Sequence, residues 1–395
     1  MRSIVHAMQP TLSITTSEEL AHGLDLLANS DYVALDTEFM RESTYYAGLC
    51  LIQAAAADCC MVIDPLALAD LQPLWTFLAD RKRVKVLHAA RQDLEVMTQA
   101  MSASLSRNAA PGAAANSDAR PQSLPLPGPI FDTQIAAAML GSSAQIGYGN
   151  LVTERLGHTL PKGQTRTNWA QRPLTPEQLE YAADDVRYLA PLYLNLRDAL
   201  QAAGRLHWLE EETAELEDPR LYRVEAEDAW RRLKGMDRLQ PEQRAAAKLL
   251  AGWRETRAML KDKPRGWILA DEFLRDIAER LPQSAQELQA IDGLGENFIR
   301  KSGDAILALV AQGRENAATE APATTSQRPE PQQLARVSGL LALVRSEAQR
   351  LGLAPELLAT RRDAEQLVFS GRTDHLLRGW RREVIGEQLV ALAAT

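Results

Sequence analysis

The stretch YVALDTEF (32–39) constrains this chain more than any other. Its aromatic and aliphatic residues, set among turn-forming neighbours, read as a buried β-strand. Side chains on a strand alternate between faces, so Val33, Leu35, Thr37 and Phe39 share one side. Asp36 and Glu38 share the other, roughly 7 Å apart. Buried and unpaired, each carboxylate would be costly or would give up its charge. Something positive must lie between them, either an Arg or Lys pair or bound cations.

Two further acidic patches bear on that choice. Asp93, in HAARQDLEVM (88–97), follows a strand ending near His88 and opens a helix. An acid at that position also suits the helix dipole. In YAADDVRYL (181–189), Tyr181 and Asp185 are i,i+4 neighbours on one helical face, while Asp184 points about 100° away. A solvated helix surface would show the same spacing. Taken together, Asp36, Glu38, Asp93 and Asp185 supply four hard oxygen donors, a set suited to divalent cations such as Mg²⁺ or Mn²⁺.

The first two hundred residues mix both kinds of element. Strands are predicted over 11–15, 32–39, 49–55, 60–64 and 83–89, and helices over 17–29, 68–80, 91–101, 132–140, 149–157 and 175–204. Consecutive strands followed by one strand and a run of helices predict a mixed sheet with helices on both faces. Residues 102–129 are rich in Ala, Ser, Pro and Gly and read as a flexible inserted loop. Beyond about 217 no strand pattern remains. The expected division is an α/β domain over 1–217, a helical module over 218–312, a linker over 313–332 and a second helical module over 333–395.

These patches in this order resemble the ribonuclease D family of the DEDD exonuclease superfamily. ALDTEFMRESTYYAGLCLIQ is similar to its first motif, HAARQDLEV to its second and YAADDVRYL to its third; KGQTRTNWAQRPLTPEQLEYAADDV (162–186) resembles the approach to the third. The two helical modules resemble HRDC domains, the second more divergently. The resemblance implies a ribonuclease-H-like α/β exonuclease domain followed by two small all-α bundles. It implies a 3′→5′ exoribonuclease that releases nucleoside 5′-monophosphates with two Mg²⁺ or Mn²⁺ ions, acting on tRNA precursors and other structured RNA 3′ ends. Asp36, Glu38, Asp93 and Asp185 are then the metal ligands.

Tyr181 falls where the family's tyrosine branch places its water-orienting residue; the position five before the last Asp is Glu180, not the histidine of a sister branch. A phenol of pKa about 10 is a poor base near neutrality, so its expected role is positioning. Expected substrate contacts are Phe39 and Met40 against the terminal base, Gln53 and His88 nearby, and Lys162 and Arg166 on phosphates. Core packing would equally explain Phe39 and Met40, and a satisfied strand-end histidine would explain His88. A DNA-directed exonuclease, or a silent nucleic-acid-binding scaffold, are the alternatives.

Charge distribution limits how RNA is held. Residues 1–217 carry 16 basic and 26 acidic side chains, for a net −10, whereas 218–312 and 333–395 are +1 and +2. Any grip on a polyanion must come from local patches, with the Gly293-Leu294-Gly295 turn and Arg361, Arg362, Arg378, Arg381 and Arg382 as candidates. Three cysteines without a CxxC pattern suit a reducing cytoplasm. No signal peptide or membrane helix is expected, and no obligate protein partner is implied.

Overall fold

The computed structural model describes residues 11–57, 59–108, 126–161, 167–320 and 330–394. They form two compact units. The first comprises residues 1–40, 48–222 and 329–395, and the second 41–47 and 223–328.

The first unit is built on a six-stranded mixed sheet, formed by β1 (Thr11–Ile14), β2 (Tyr32–Met40), β3 (Gly48–Ala56), β4 (Cys59–Ile63), β5 (Val84–Leu87) and β6 (Ile130–Asp132). Their order across the sheet is β1-β4-β3-β2-β5-β6. The central strands β2, β3 and β4 pair antiparallel, while β1, β5 and β6 add in parallel. Alternation along β2 sends Val33 and Leu35 into one core and Tyr32 and Ala34 into the other.

Helices α1 (Ser17–Leu27), α2 (Gln72–Ala79) and α3 (Arg91–Asn108) cover the Val33/Leu35 face. The opposite face packs against α4 (Thr133–Ala138), α5 (Tyr148–Leu156), α6 (Pro176–Arg187) and α7 (Leu189–Ala202), followed by α8 (Leu206–Ala214). The predicted mixed sheet with helices on both faces is the one found. β6, three residues long, was not predicted, and 175–204 divides into two helices at Tyr188. α3 runs on to Asn108, seven residues into the expected loop at 102–129. Residues 109–125 of that loop lie outside the described residues.

The register on β2 and β3 shifts between Glu38 and Phe39: Glu38 pairs with Leu51 and Phe39 with Leu49, leaving Cys50 unmatched. Cys50 and Leu51 consequently both enter the α6-side core despite being adjacent. Such bulges bend a strand and re-aim its end.

The second unit is all-helical. It contains α9 (Pro241–Lys261), α10 (Arg265–Ile268), α11 (Asp271–Arg280), α12 (Ala285–Gln289) and α13 (Glu296–Glu315) around a core that includes Leu250, Leu274, Ile277 and Ile306. A Cβ at Gly313 would stand 2.6 Å from the Ala246 backbone, so only glycine lets α9 and α13 approach this closely. The segment 41–47 belongs here. The Tyr45 hydroxyl donates to buried Glu255, which also pairs with Arg265, and Asp262 accepts the N–H groups of Tyr45 and Tyr46.

Helices α14 (Pro331–Leu351), α15 (Pro355–Leu358), α16 (Arg361–Ser370), α17 (Gly379–Arg381) and α18 (Glu387–Ala393) join the first unit. The Trp380 and Trp208 rings stack at 4.6 Å, and the Arg381 guanidinium pairs with Glu212 and donates to the Leu357 carbonyl. Arg381 is therefore buried structure and not part of a basic surface. Arg361, Arg378 and Arg382 also pair with carboxylates, those of Glu365, Glu215 and Glu387. The expected basic face is largely neutralised.

Candidate active site

Asp36 and Glu38 project from β2 on the face covered by α6. That helix starts cleanly: Thr175 caps it, Gln178 completes a reciprocal capping box and Pro176 sits in the first turn. Ala182, Ala183 and Val186 pack against the sheet. The half-buried Tyr181 and Asp185, one turn apart, flank this apolar stripe. Asp36, Glu38 and Asp185 each present a carboxylate oxygen, and the three oxygens lie within 4.8 Å of one another. Asp184 is turned away and paired with Arg187.

Asp93 reaches the same region from the other face of the sheet. It accepts a 2.5 Å hydrogen bond from Thr37, the residue between Asp36 and Glu38. The corner before α3 turns on Ala89, whose φ of 54° is unusual for a residue with a side chain. Asp132 stabilises it: its carboxylate accepts the N–H groups of Ala89 and Ala90 and those of Gln134 and Ile135 at the start of α4. The sequence marked Asp132 only as the first residue of a predicted helix.

Electrostatics state the problem these acids pose. Burial, then the charges of Asp93, Asp185 and Glu38, hold Asp36 well above the ordinary carboxylate range. Burial and the charges of Asp185 and Asp93 push Glu38 up to about 8. Asp185 is raised to about 7 and Asp93 to about 6, burial being the larger cause in each. Among the described residues none of the four forms an ion pair, whereas nearby Asp64 and Asp184 are paired to Arg172 and Arg187. Among the described residues, no Arg or Lys pairs with Asp36 or Glu38. An all-oxygen, mutually repelling set of carboxylates fits divalent metal ions.

Tyr181 stands beside these charges. Burial and the carboxylates of Asp185, Glu38 and Asp36 drive its hydroxyl far above its usual value, so it stays a neutral donor. Its ring stacks on Trp169, with centroids 6.1 Å apart. Trp169 is held in turn by Arg172, which donates to the Trp169 and Cys50 carbonyls and forks onto Asp64. A second tyrosine, Tyr148, feels the charges of Asp185 and Asp36 and donates to the Asp184 carbonyl. Sequence reasoning missed Tyr148 and Arg172, because neither carries a local pattern.

The remaining expected contacts divide. Phe39 is half-buried past the bulge, and Met40 leans on the α6-side core. His88 uses both ring nitrogens, on Thr133 and the Ile146 carbonyl. Gln53 pairs with Asp36 across the sheet but has no exposed surface, so it lies beneath the site and not where a nucleic acid can reach. Lys162 and Arg166 lie outside the described residues.

Comparison with known proteins gives a consistent picture. Residues 12–201 match a 3′-5′ exonuclease family model and residues 243–310 an HRDC domain model. The chain is 37% identical over 391 residues to a ribonuclease D of Granulibacter bethesdensis, covering 97% of this chain and 92% of that one. It is 37% identical over 365 residues to one of Pseudomonas paraeruginosa, covering 91% of each. The crystal structure of Escherichia coli RNase D, described as an exoribonuclease involved in structured RNA processing, superposes with a TM-score of 0.80 at 32% identity. The match covers 98% of this chain and 99% of that one.

Proposed function

The chain belongs to the ribonuclease D family of 3′→5′ exoribonucleases, and on that premise we propose that Asp36, Glu38, Asp93 and Asp185 hold two divalent ions at the scissile phosphate of an RNA 3′ end. The observation that carries this assignment is the convergence of Asp36, Glu38 and Asp185 within 4.8 Å, with no ion pair to any of them among the described residues.

When bound, such ions supply charge neutralisation at the phosphate and an acidified water near neutral pH. The protein's own part is geometric. β2 and α6 bring three carboxylates to one point, and Thr37 fixes Asp93 beside them. The neutral Tyr181 hydroxyl orients the attacking water, with Trp169 and Arg172 holding its ring in place. Phe39 and Met40, at the strand end beyond Glu38, contact the terminal base. The leaving 3′ oxygen stays with the shortened RNA, and the product is a nucleoside 5′-monophosphate.

Structured RNA, including tRNA precursors, is the proposed substrate, supported by likeness to a relative described as processing structured RNA. We place the HRDC modules at 218–312 and 333–395, the first supported by the family match at 243–310. Mg²⁺ or Mn²⁺ as the ions and a cytoplasmic location complete the proposal; no described helix is long and apolar enough to cross a membrane.

The test uses purified protein and matched RNA and DNA oligonucleotides. RNA should be shortened from its 3′ end with release of 5′-monophosphates in Mg²⁺ or Mn²⁺, and EDTA should stop it. Wild-type turnover by Asp36→Asn or Asp185→Asn would refute the residue assignment.

A further inference from the structure

Beside Asp36, on the same face of the sheet, lies a polar side chain that the proposed function leaves unused. Gln53 stands directly opposite Asp36 in the antiparallel pairing of β2 and β3. The two side chains therefore leave the sheet on the same side, with Cβ atoms roughly 4.5–5.5 Å apart. Gln53 is 0% exposed, and neither its amide nitrogen nor its amide oxygen has a hydrogen-bond partner. Among the described residues no other side chain leaves two buried polar atoms unpaired. Buried donors and acceptors left unpaired forfeit their hydration with nothing in return. A methionine or leucine would fill the same space without that loss.

The neighbours narrow what the amide serves. Leu51 and Ala55 flank it on β3 and Val62 faces it from β4, all within the α6-side core. They offer its carbonyl end no donor. The acceptors within reach across the sheet are the carboxylates of Asp36, directly opposite, and Glu38, one diagonal step away. A carboxylate only accepts, and of the two ends of an amide only the NH₂ donates. An Arg or Lys here would also donate, but its charge would compete with the cations that the carboxylates are suited to hold. A neutral donor can hold Asp36 without neutralising it.

We propose that Gln53 is a positioning residue for the metal centre: its amide N–H donates to the Asp36 carboxylate and fixes how Asp36 presents its ligand oxygen to divalent ions. Groups hydrogen-bonded behind a metal ligand set its orientation, and with it the affinity of the site. The inference goes beyond the metal assignment made above and rests on it.

The test measures Mn²⁺ affinity by calorimetry and thermal melting of the metal-free full chain, both without substrate. Gln53→Met keeps the length of the side chain and removes its polar atoms. It should weaken Mn²⁺ binding about 10- to 100-fold. With two unpaired atoms gone, it should also raise the melting temperature of the metal-free chain by about 2–6 °C. A glutamine that serves only to pack would give a lower melting temperature with unchanged Mn²⁺ affinity. Unchanged affinity in folded Gln53→Met overturns the proposal. The double variant locates the effect: in Asp36→Asn, Gln53→Met should cost no further affinity, because the group it acts through is gone. An equal loss in both backgrounds marks a general distortion and overturns the proposal too. Should Gln53→Met fail to fold, Gln53→Leu decides in its place by the same affinity readings. Wild-type uptake of Mn²⁺ tests the metal assignment separately. If wild type and Gln53→Met bind Mn²⁺ equally well, only the role of Gln53 falls; if wild type takes up none, the assignment falls and this inference with it.

Discussion

Asp36→Asn should abolish turnover and yet stabilise the metal-free chain. The ligand oxygens of Asp36, Glu38 and Asp185 lie within 4.8 Å of one another. Two like unit charges at that separation repel by about 3.5 kcal/mol at an effective dielectric of ~20 and by about 0.9 kcal/mol in water. Half-buried carboxylates fall between those limits, so removing one charge relieves about 1–3 kcal/mol. The pH dependence follows from the raised carboxyls, Glu38 at about 8 and Asp185 at about 7, against ordinary values of 4.5 and 3.8. Between about pH 4 and pH 8 the folded chain retains protons that the unfolded chain has released, so stability falls as pH rises through that window. The gain from Asp36→Asn is therefore large at pH 8 and small at pH 5. Urea denaturation in EDTA at both pH values, followed by circular dichroism, measures it. A variant less stable than wild type at pH 8 would refute the idea that these acids repel one another in the absence of a cation.

Other residues give separate readouts. Tyr181→Phe should lower kcat by about 10- to 100-fold with little change in KM or Mn²⁺ affinity, as expected for a lost positioning contact; steady-state kinetics and calorimetry separate the two. Arg172→Ala should cost about 1–3 kcal/mol in urea denaturation and reduce kcat, and Arg172→Lys should not restore it, because an ammonium cannot fork onto Asp64. Trp380→Ala, which removes the stack on Trp208, should cost about 3–5 kcal/mol and lower the urea midpoint without altering Mn²⁺ affinity.

Much of this architecture was legible because it is written in local periodicity. The alternation in 32–39 placed Asp36 and Glu38 together, and the i,i+4 spacing placed Tyr181 with Asp185. What was not legible acts through tertiary contact. β6 is too short to show a pattern, and Asp132 earns its place by accepting N–H groups from two separate corners. Arg172 reaches a strand more than a hundred residues away. Tyr188 ends α6 and begins α7 in a stretch whose composition reads as one continuous helix. Arg381 looked like surface charge, since nothing near it in sequence announces Glu212 as its partner.

Mn²⁺ titration followed by electron paramagnetic resonance tests the central assignment most directly. Wild type should take up two Mn²⁺ ions whose spectra show mutual coupling, and Asp185→Asn should lose that coupled signal while keeping its fold. Uncoupled Mn²⁺ in wild type, or an unchanged signal in Asp185→Asn, would contradict a shared two-ion site built from these carboxylates.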